Sequence, residues 1–136
     1  MQSLAAEFGP LEWIDEHRFP TLCEPLKRGV PLFSATDLEN SNAAPAPFMV
    51  IEGVVLDVFE GRQRWFLNFG TDYRTDFTVS LQDKPLRVVR QLWPDPENWI
   101  GQRVRVRGYV DIWNGLFIEW DFPEQLCFID AVPYKL

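Results

Sequence analysis

From Phe48 to Phe122 short runs of β-branched and aromatic residues alternate with turn signals, and a single helical stretch interrupts them. That order excludes a doubly wound sheet, which needs strands and helices in regular alternation. Phe48 to Phe59 is a long strand-forming run in which Gly53 marks a bend or bulge. Glu60-Gly61-Arg62 signals a tight turn, residues 63–69 a second strand, and Gly70-Thr71-Asp72 the next turn. A third strand is expected over Arg74–Leu81, where Phe77, Val79 and Leu81 alternate with Asp76, Thr78 and Ser80. Pro85 opens a helix over 85–92 with Leu86, Val88, Val89 and Leu92 as its apolar stripe, and Pro94 ends it. Asp95-Pro96-Glu97-Asn98-Trp99 reads as one further helical turn. Arg103–Ile112 is the fourth strand, with Val104, Val106 and Gly108 on one face and three arginines on the other. Asn114-Gly115 is a strong hairpin signal leading into a fifth strand, Leu116–Trp120, and Gln125–Ile129 can add a short edge strand. Three strands, a helix and a two-strand hairpin is the order of an OB-fold: an all-β, five-stranded Greek-key barrel with one inserted helix.

Residues 1–47 precede the barrel as an irregular, Pro-rich arm. Pro10, Pro20, Pro25, Pro31, Pro45 and Pro47 break any long helix or central strand. Asn40 to Pro47 has a linker's composition, whereas Leu11, Trp13, Ile14, Leu26 and Phe33 supply more apolar surface than a free tail carries. The expected division is an arm over 1–47, a barrel over 48–130 and a tail over 131–136. With an aromatic share of 15%, most of the chain is expected to fold.

No apolar run reaches the roughly 18 residues of a membrane helix, and no basic segment followed by an apolar stretch opens the chain. Cys23 and Cys127 are compatible both with a disulfide joining arm to barrel and with two buried thiols. An exported, periplasmic location is favoured over a cytoplasmic one.

The chemistry-bearing residues are sparse. His17 is the only histidine, and with two distant cysteines it does not compose a zinc site or a nucleophile–base couple. No Gly-rich phosphate loop occurs. We expect no catalytic residue, no metal and no cofactor: a binding protein rather than an enzyme. Carboxylates are abundant, so Asp72 with Asp76 and Asp111 with Glu119 read as solvated turn and strand-face residues. Asn68 is expected to bond the following turn, and Gly70 to supply a positive φ there.

A net charge of −7 argues against a dedicated nucleic-acid binder. Its distribution qualifies this, since residues 61–108 carry nine basic against five acidic side chains. Arg62, Arg64, Arg74, Arg103, Arg105 and Arg107, interleaved with Tyr73 and Trp113, form a candidate face where arginines meet phosphate and aromatics stack bases. The competing expectation is that Arg103, Arg105 and Arg107 pair across the sheet with Asp76, Asp111 or Glu119. Trp65 shares parity with Leu67 and Phe69 and belongs to the core. In the acidic arm, Phe8, Trp13, Phe19 and Phe33 are candidates for docking a protein partner.

The segment Trp65-Phe66-Leu67-Asn68-Phe69-Gly70-Thr71-Asp72-Tyr73-Arg74-Thr75-Asp76-Phe77-Thr78 resembles the "NFG-DxRTDFT" signature of bacterial OB-fold domains. Such domains occur at the C-terminus of thermonuclease-like (staphylococcal-nuclease-like) proteins and alone in exported proteins. Gly101–Gly108, Asn114-Gly115 and Pro123-Glu124-Gln125 continue the likeness, which covers about residues 50–128. It implies an OB-fold in a nucleic-acid-related context without the nuclease centre, whose carboxylate set this sequence lacks. Trp65 stands where the family has Tyr, and Tyr73 where it has Trp. Two functions follow as expectations: a scaffold for protein interaction or assembly with a single-stranded or other anionic ligand on its Arg/aromatic face, or a single-strand-binding accessory to a nuclease.

Overall fold

The computed structural model describes residues 21–41 and 43–130. Phe8, Trp13, His17, Phe19 and the tail 131–136 lie outside the described residues. The elements are β1 (Leu32–Ser34), β2 (Phe48–Val54), β3 (Asp57–Glu60), β4 (Arg64–Asn68), β5 (Thr78–Gln82), α1 (Asp83–Leu92), β6 (Arg103–Trp113), β7 (Gly115–Glu119) and β8 (Leu126–Phe128).

These strands form the OB barrel. β2 pairs antiparallel with the first half of β6, β6 turns back through β7, β7 pairs parallel with β5, and β5 with β4 and β4 with β3 antiparallel. β2 and β3 are one bent strand broken at Val55-Leu56. The bend is held by bonds from the Val55 N–H to the Gln102 carbonyl and from the Leu56 N–H to the Asn68 carbonyl. Gly53 lies just ahead of this break because Ala35 and Phe69 press on it: an added Cβ would come 2.7 Å from Ala35. The period-2 positions point inward as the sequence predicts, so Trp65, Leu67, Val79, Leu81, Val104, Val106, Leu116 and Ile118 make the core. α1 closes one end with Leu86, Val88 and Val89 buried. Behind it Trp93, Trp99 and Trp120 pack edge to face, Trp99 at 4.9 Å from Trp93 and 5.7 Å from Trp120 between ring centroids.

Three departures from the sequence reading have clear physical causes. α1 begins at Asp83, two residues before Pro85, because Asp83 adopts φ +53° and turns the chain directly from strand into helix. β5 begins at Thr78, not Arg74, because residues 72–76 form a hydrogen-bonded turn, with the Thr75 and Asp76 N–H groups both donating to the Asp72 carbonyl. Within residues 21–41, Leu32–Ser34 adds a parallel strand on β2, and a 3-10 turn over Ala35–Leu38 buries Ala35 and Leu38. Cys23 and Cys127 are joined in a disulfide, so this segment is fastened to β8 as well.

Asp76, expected to be solvated, is buried at 5% exposure. Its carboxylate accepts the N–H groups of Asn40 (3.1 Å) and Asp72 (3.0 Å) and the Thr75 hydroxyl. Burial of a carboxylate is tolerable only with such partners. Gly70 serves this packing and not a positive φ: a Cβ there would run into the Asp76 carboxylate. Nor does Asn68 bond the turn through its side-chain oxygen, which is buried without a donor.

Asp76→Ala would remove the carboxylate acceptor from two N–H groups, those of Asn40 and Asp72, and urea denaturation is expected to show a loss on the order of 1–3 kcal/mol, with Asp76→Asn milder. Cys23→Ser is expected to cost about 2–5 kcal/mol, because 104 residues separate the two cysteines and the unfolded chain regains that loop. Adding reductant to the parent should reproduce this loss.

Candidate functional site

Since Trp65, Leu67, Val79 and Leu81 point inward, their neighbours alternate to the opposite side of β4 and β5, where Arg64 and Phe66 are half-exposed and Asn68, Thr78 and Ser80 are buried. The register extends this side in rows. Phe59, Phe66, Ser80 and Glu119 lie side by side across β3, β4, β5 and β7, and Asp57, Asn68, Thr78 and Phe117 form the next row. In an OB-fold this outer face of the second and third barrel strands, between the loops that join strands one to two and four to five, is where oligonucleotides and oligosaccharides lie.

Phe59 is 58% exposed and its ring lies 6.3 Å from that of Phe66, while the Arg64 guanidinium stands 5.9 Å from the Phe66 ring centroid. A planar cation and two phenyl rings therefore share one surface. Beside them Glu119 is half-buried. Burial pushes its pKa above the ordinary 4.5, against the opposing pull of the Ser80 hydroxyl and Arg64. Burial likewise raises Asp121 at the end of β7. The surface thus combines two phenyl rings and a guanidinium with a half-buried carboxylate, and its cations gather at one end.

That end is the loop between β3 and β4. The Gly61 N–H donates to the Arg64 carbonyl, closing a turn so tight that a Cβ on Gly61 would lie 2.5 Å from the same oxygen. Arg90, from α1, donates through Nη2 to the Gly61 and Arg62 carbonyls at 3.0 and 2.8 Å and rests over the Trp65 ring.

The six arginines of the sequence reading do not share one face. Arg62 and Arg64 lie at the β3–β4 loop, and Arg74 in the turn at the far end of β4. Arg74 is exposed and paired with Asp72 at 3.1 Å, a bond that lowers the Asp72 pKa and raises that of Arg74. Arg103, Arg105 and Arg107 are on the first half of β6, flanked by β2 and β8, with β7 and β5 between them and β4. Arg105 is committed: its Nη2 pairs with Glu52 at 3.0 Å and its Nη1 donates to the Glu24 carbonyl. The partner is thus Glu52, not Asp76, Asp111 or Glu119. Arg103 is exposed and Arg107 half-buried.

Tyr73 and Trp113 are both 63% exposed, as their turn positions predict, and they stand at the same end of the barrel. Asn114 takes φ +68° in the β6–β7 turn, and Gly115 packs so closely on the Thr75–Asp76 backbone that a Cβ would lie 2.5 Å from the Asp76 carbonyl. Phe33 does not face outward for docking: it is half-buried in β1 and packs against the core. Among the described residues no group of three His, Cys, Asp or Glu side chains could hold a metal ion. No helix among them is long and apolar enough to cross a membrane. The stacking pair Phe59 and Phe66 was absent from the sequence-derived candidates, although the inward parity of Trp65 already implied that Phe66 points outward.

The chain is similar in fold to the aspartyl-tRNA synthetase of Entamoeba histolytica, with a TM-score of 0.50 and 11% identity over 86% of this chain and 28% of that one. It also aligns with a protein assigned as an aspartyl-tRNA synthetase from Leishmania major Friedlin, with a TM-score of 0.46 and 9% identity over 86% of this chain and 24% of that one. The chain thus spans about a quarter of the length of these synthetases. No protein-family model and no curated protein matches the sequence.

The raised pKa of Glu119 means that the native state holds this proton more readily than the unfolded chain. Ionising it at neutral pH therefore weakens folding, and that stability returns as pH falls toward and below 4.5. Glu119→Gln is expected to be at least as stable as the parent at pH 7, with an advantage that shrinks on acidification. Denaturation midpoints across that range check this.

Proposed function

We propose that this protein is a non-enzymatic OB-fold module that binds single-stranded nucleic acid on the outer face of β3, β4, β5 and β7. The observation that carries the reading is the Phe59–Phe66 pair beside Arg64, on the face where OB barrels receive extended polymeric ligands. Phe66 and Phe59 stack bases, Arg64 meets the backbone, and the half-exposed Glu119 accepts at a base edge. A tRNA synthetase among the proteins of similar fold is in keeping with this, as is the resemblance of residues 65–78 to the OB domains that accompany thermonuclease-like proteins. The non-enzymatic part rests on the sequence, whose lone histidine and scattered cysteines assemble no catalytic set. The disulfide suits an oxidising compartment, which supports export.

A second reading, docking to a protein partner, is favoured by one observation. Ile112 and Trp113 project with Tyr73 as exposed apolar side chains at the opposite end of the barrel.

The test is anisotropy of a labelled single-stranded 12-mer at about 50 and 200 mM salt, over which phosphate-driven affinity falls steeply. The expected result is salt-sensitive binding that weakens about 5- to 150-fold in Phe66→Ala, the cost of one stacked base. No binding at either salt overturns the reading and leaves the Trp113 end as the surface to pursue.

A further inference from the structure

The β3–β4 loop and α1 enclose a groove of about 530 Å³ lined by Gln63, Gln82, Asp83, Leu86, Arg87 and Arg90. Gln82 is the register partner of Arg64, so the groove begins where the aromatic face ends. Its cations differ in kind. Arg90 is fixed before any ligand arrives, since Nη2 holds the Gly61 and Arg62 carbonyls and its guanidinium rests 5.8 Å from the Trp65 ring centroid. Those bonds leave Nε and Nη1 as donors of a planar fork. Arg87 lies one helical turn earlier, is exposed, and makes no ion pair among the described residues. Gln63 and Gln82 add neutral amide donors. Asp83 is the one acid in the lining, and its φ of +53° turns the chain from β5 into α1 at the groove wall.

We infer that this groove holds a backbone phosphate of the strand whose base stacks on Phe66, with Arg87 and Arg90 as its donors. The inference rests on the nucleic-acid reading and extends it by giving the bound strand a direction of travel, from the Phe59–Phe66 surface past Arg64 into the groove. Stacking surface and cationic groove are contiguous but chemically unlike: the face carries Asp57, Asp111 and Glu119, whereas at its end Arg62, Arg64, Lys84, Arg87 and Arg90 outnumber Glu60 and Asp83 on the loop and helix. Phosphates are drawn to that end, and bases occupy the face. Asp83 restrains the attraction, so its charge sets how tightly the groove takes an anion.

The test is the 12-mer titration over a range of salt, with Arg87→Ala, Asp83→Asn and Phe66→Ala beside the parent. Asparagine tolerates the left-handed conformation that residue 83 requires, so Asp83→Asn removes the charge and keeps the turn. Arg87→Ala is expected to weaken binding about three- to tenfold and to reduce the slope of log affinity against log salt by about 0.7, the loss of one phosphate contact on a single strand. Asp83→Asn is expected to tighten binding about two- to fivefold, a gain that a merely structural role for residue 83 would not produce. If Phe66→Ala loses affinity while Arg87→Ala and Asp83→Asn leave both affinity and slope at the parent values, the groove assignment is overturned and the aromatic face stands. If the parent does not bind the strand, both fall together.

Discussion

One buried acid, Asp76, gathers three separate stretches of this chain, two through its carboxylate and one through its backbone carbonyl. Asp76 accepts from Asn40 ahead of the barrel and from Asp72 within its own turn. Its backbone carbonyl also lies against Gly115 in the β6–β7 turn. Gly70 and Gly115 have no room for a side chain because of it, so two glycines and one acid form a single packing unit. Without that unit the β4–β5 connection would lack its internal partners, and the far end of the barrel would lose the support that sets Tyr73 and Trp113 outward.

The opposite end is organised by a cation. Arg90 binds loop carbonyls and an indole face, fastening α1 to the β3–β4 turn. The two ends therefore differ in chemistry: an acid-stapled end with exposed aromatics, and an arginine-stapled end with a polar groove. The stacking face runs between them.

Much of the barrel was legible because its signals are local. Alternation at Phe77, Val79 and Leu81 announced β5, though not where it starts, the Asn114-Gly115 turn placed the β6–β7 hairpin, and together they sufficed for the OB order. Pairings formed at long range were not legible. Leu32-Phe33-Ser34 becomes a strand only because β2 offers it a free edge, and nothing within those three residues announces that partner. Asp76 was read as solvated because acids are common in this chain, and its burial depends on Asn40, 36 residues away. The arginines of β6 alternate cleanly, but alternation gives a face, not a neighbour. Only the barrel closure shows that this face meets Glu52 and the Glu24 carbonyl, away from Arg64. Phe66 was accessible from parity alone, whereas the roles of Arg87 and Arg90 required knowing that α1 packs beside the β3–β4 loop.

The tryptophan nest beneath the barrel has an optical consequence. Trp93, Trp99 and Trp120 stand edge to face at van der Waals range, close enough for their excited states to mix rather than absorb independently. Exciton coupling of this kind adds paired bands of opposite sign to the far-ultraviolet circular dichroism, superimposed on the signal of the peptide backbone. A conventional deconvolution of that spectrum would therefore misjudge the strand content of this barrel. The same bands would vanish with the packing that produces them, giving the folded core a signature separate from its secondary structure.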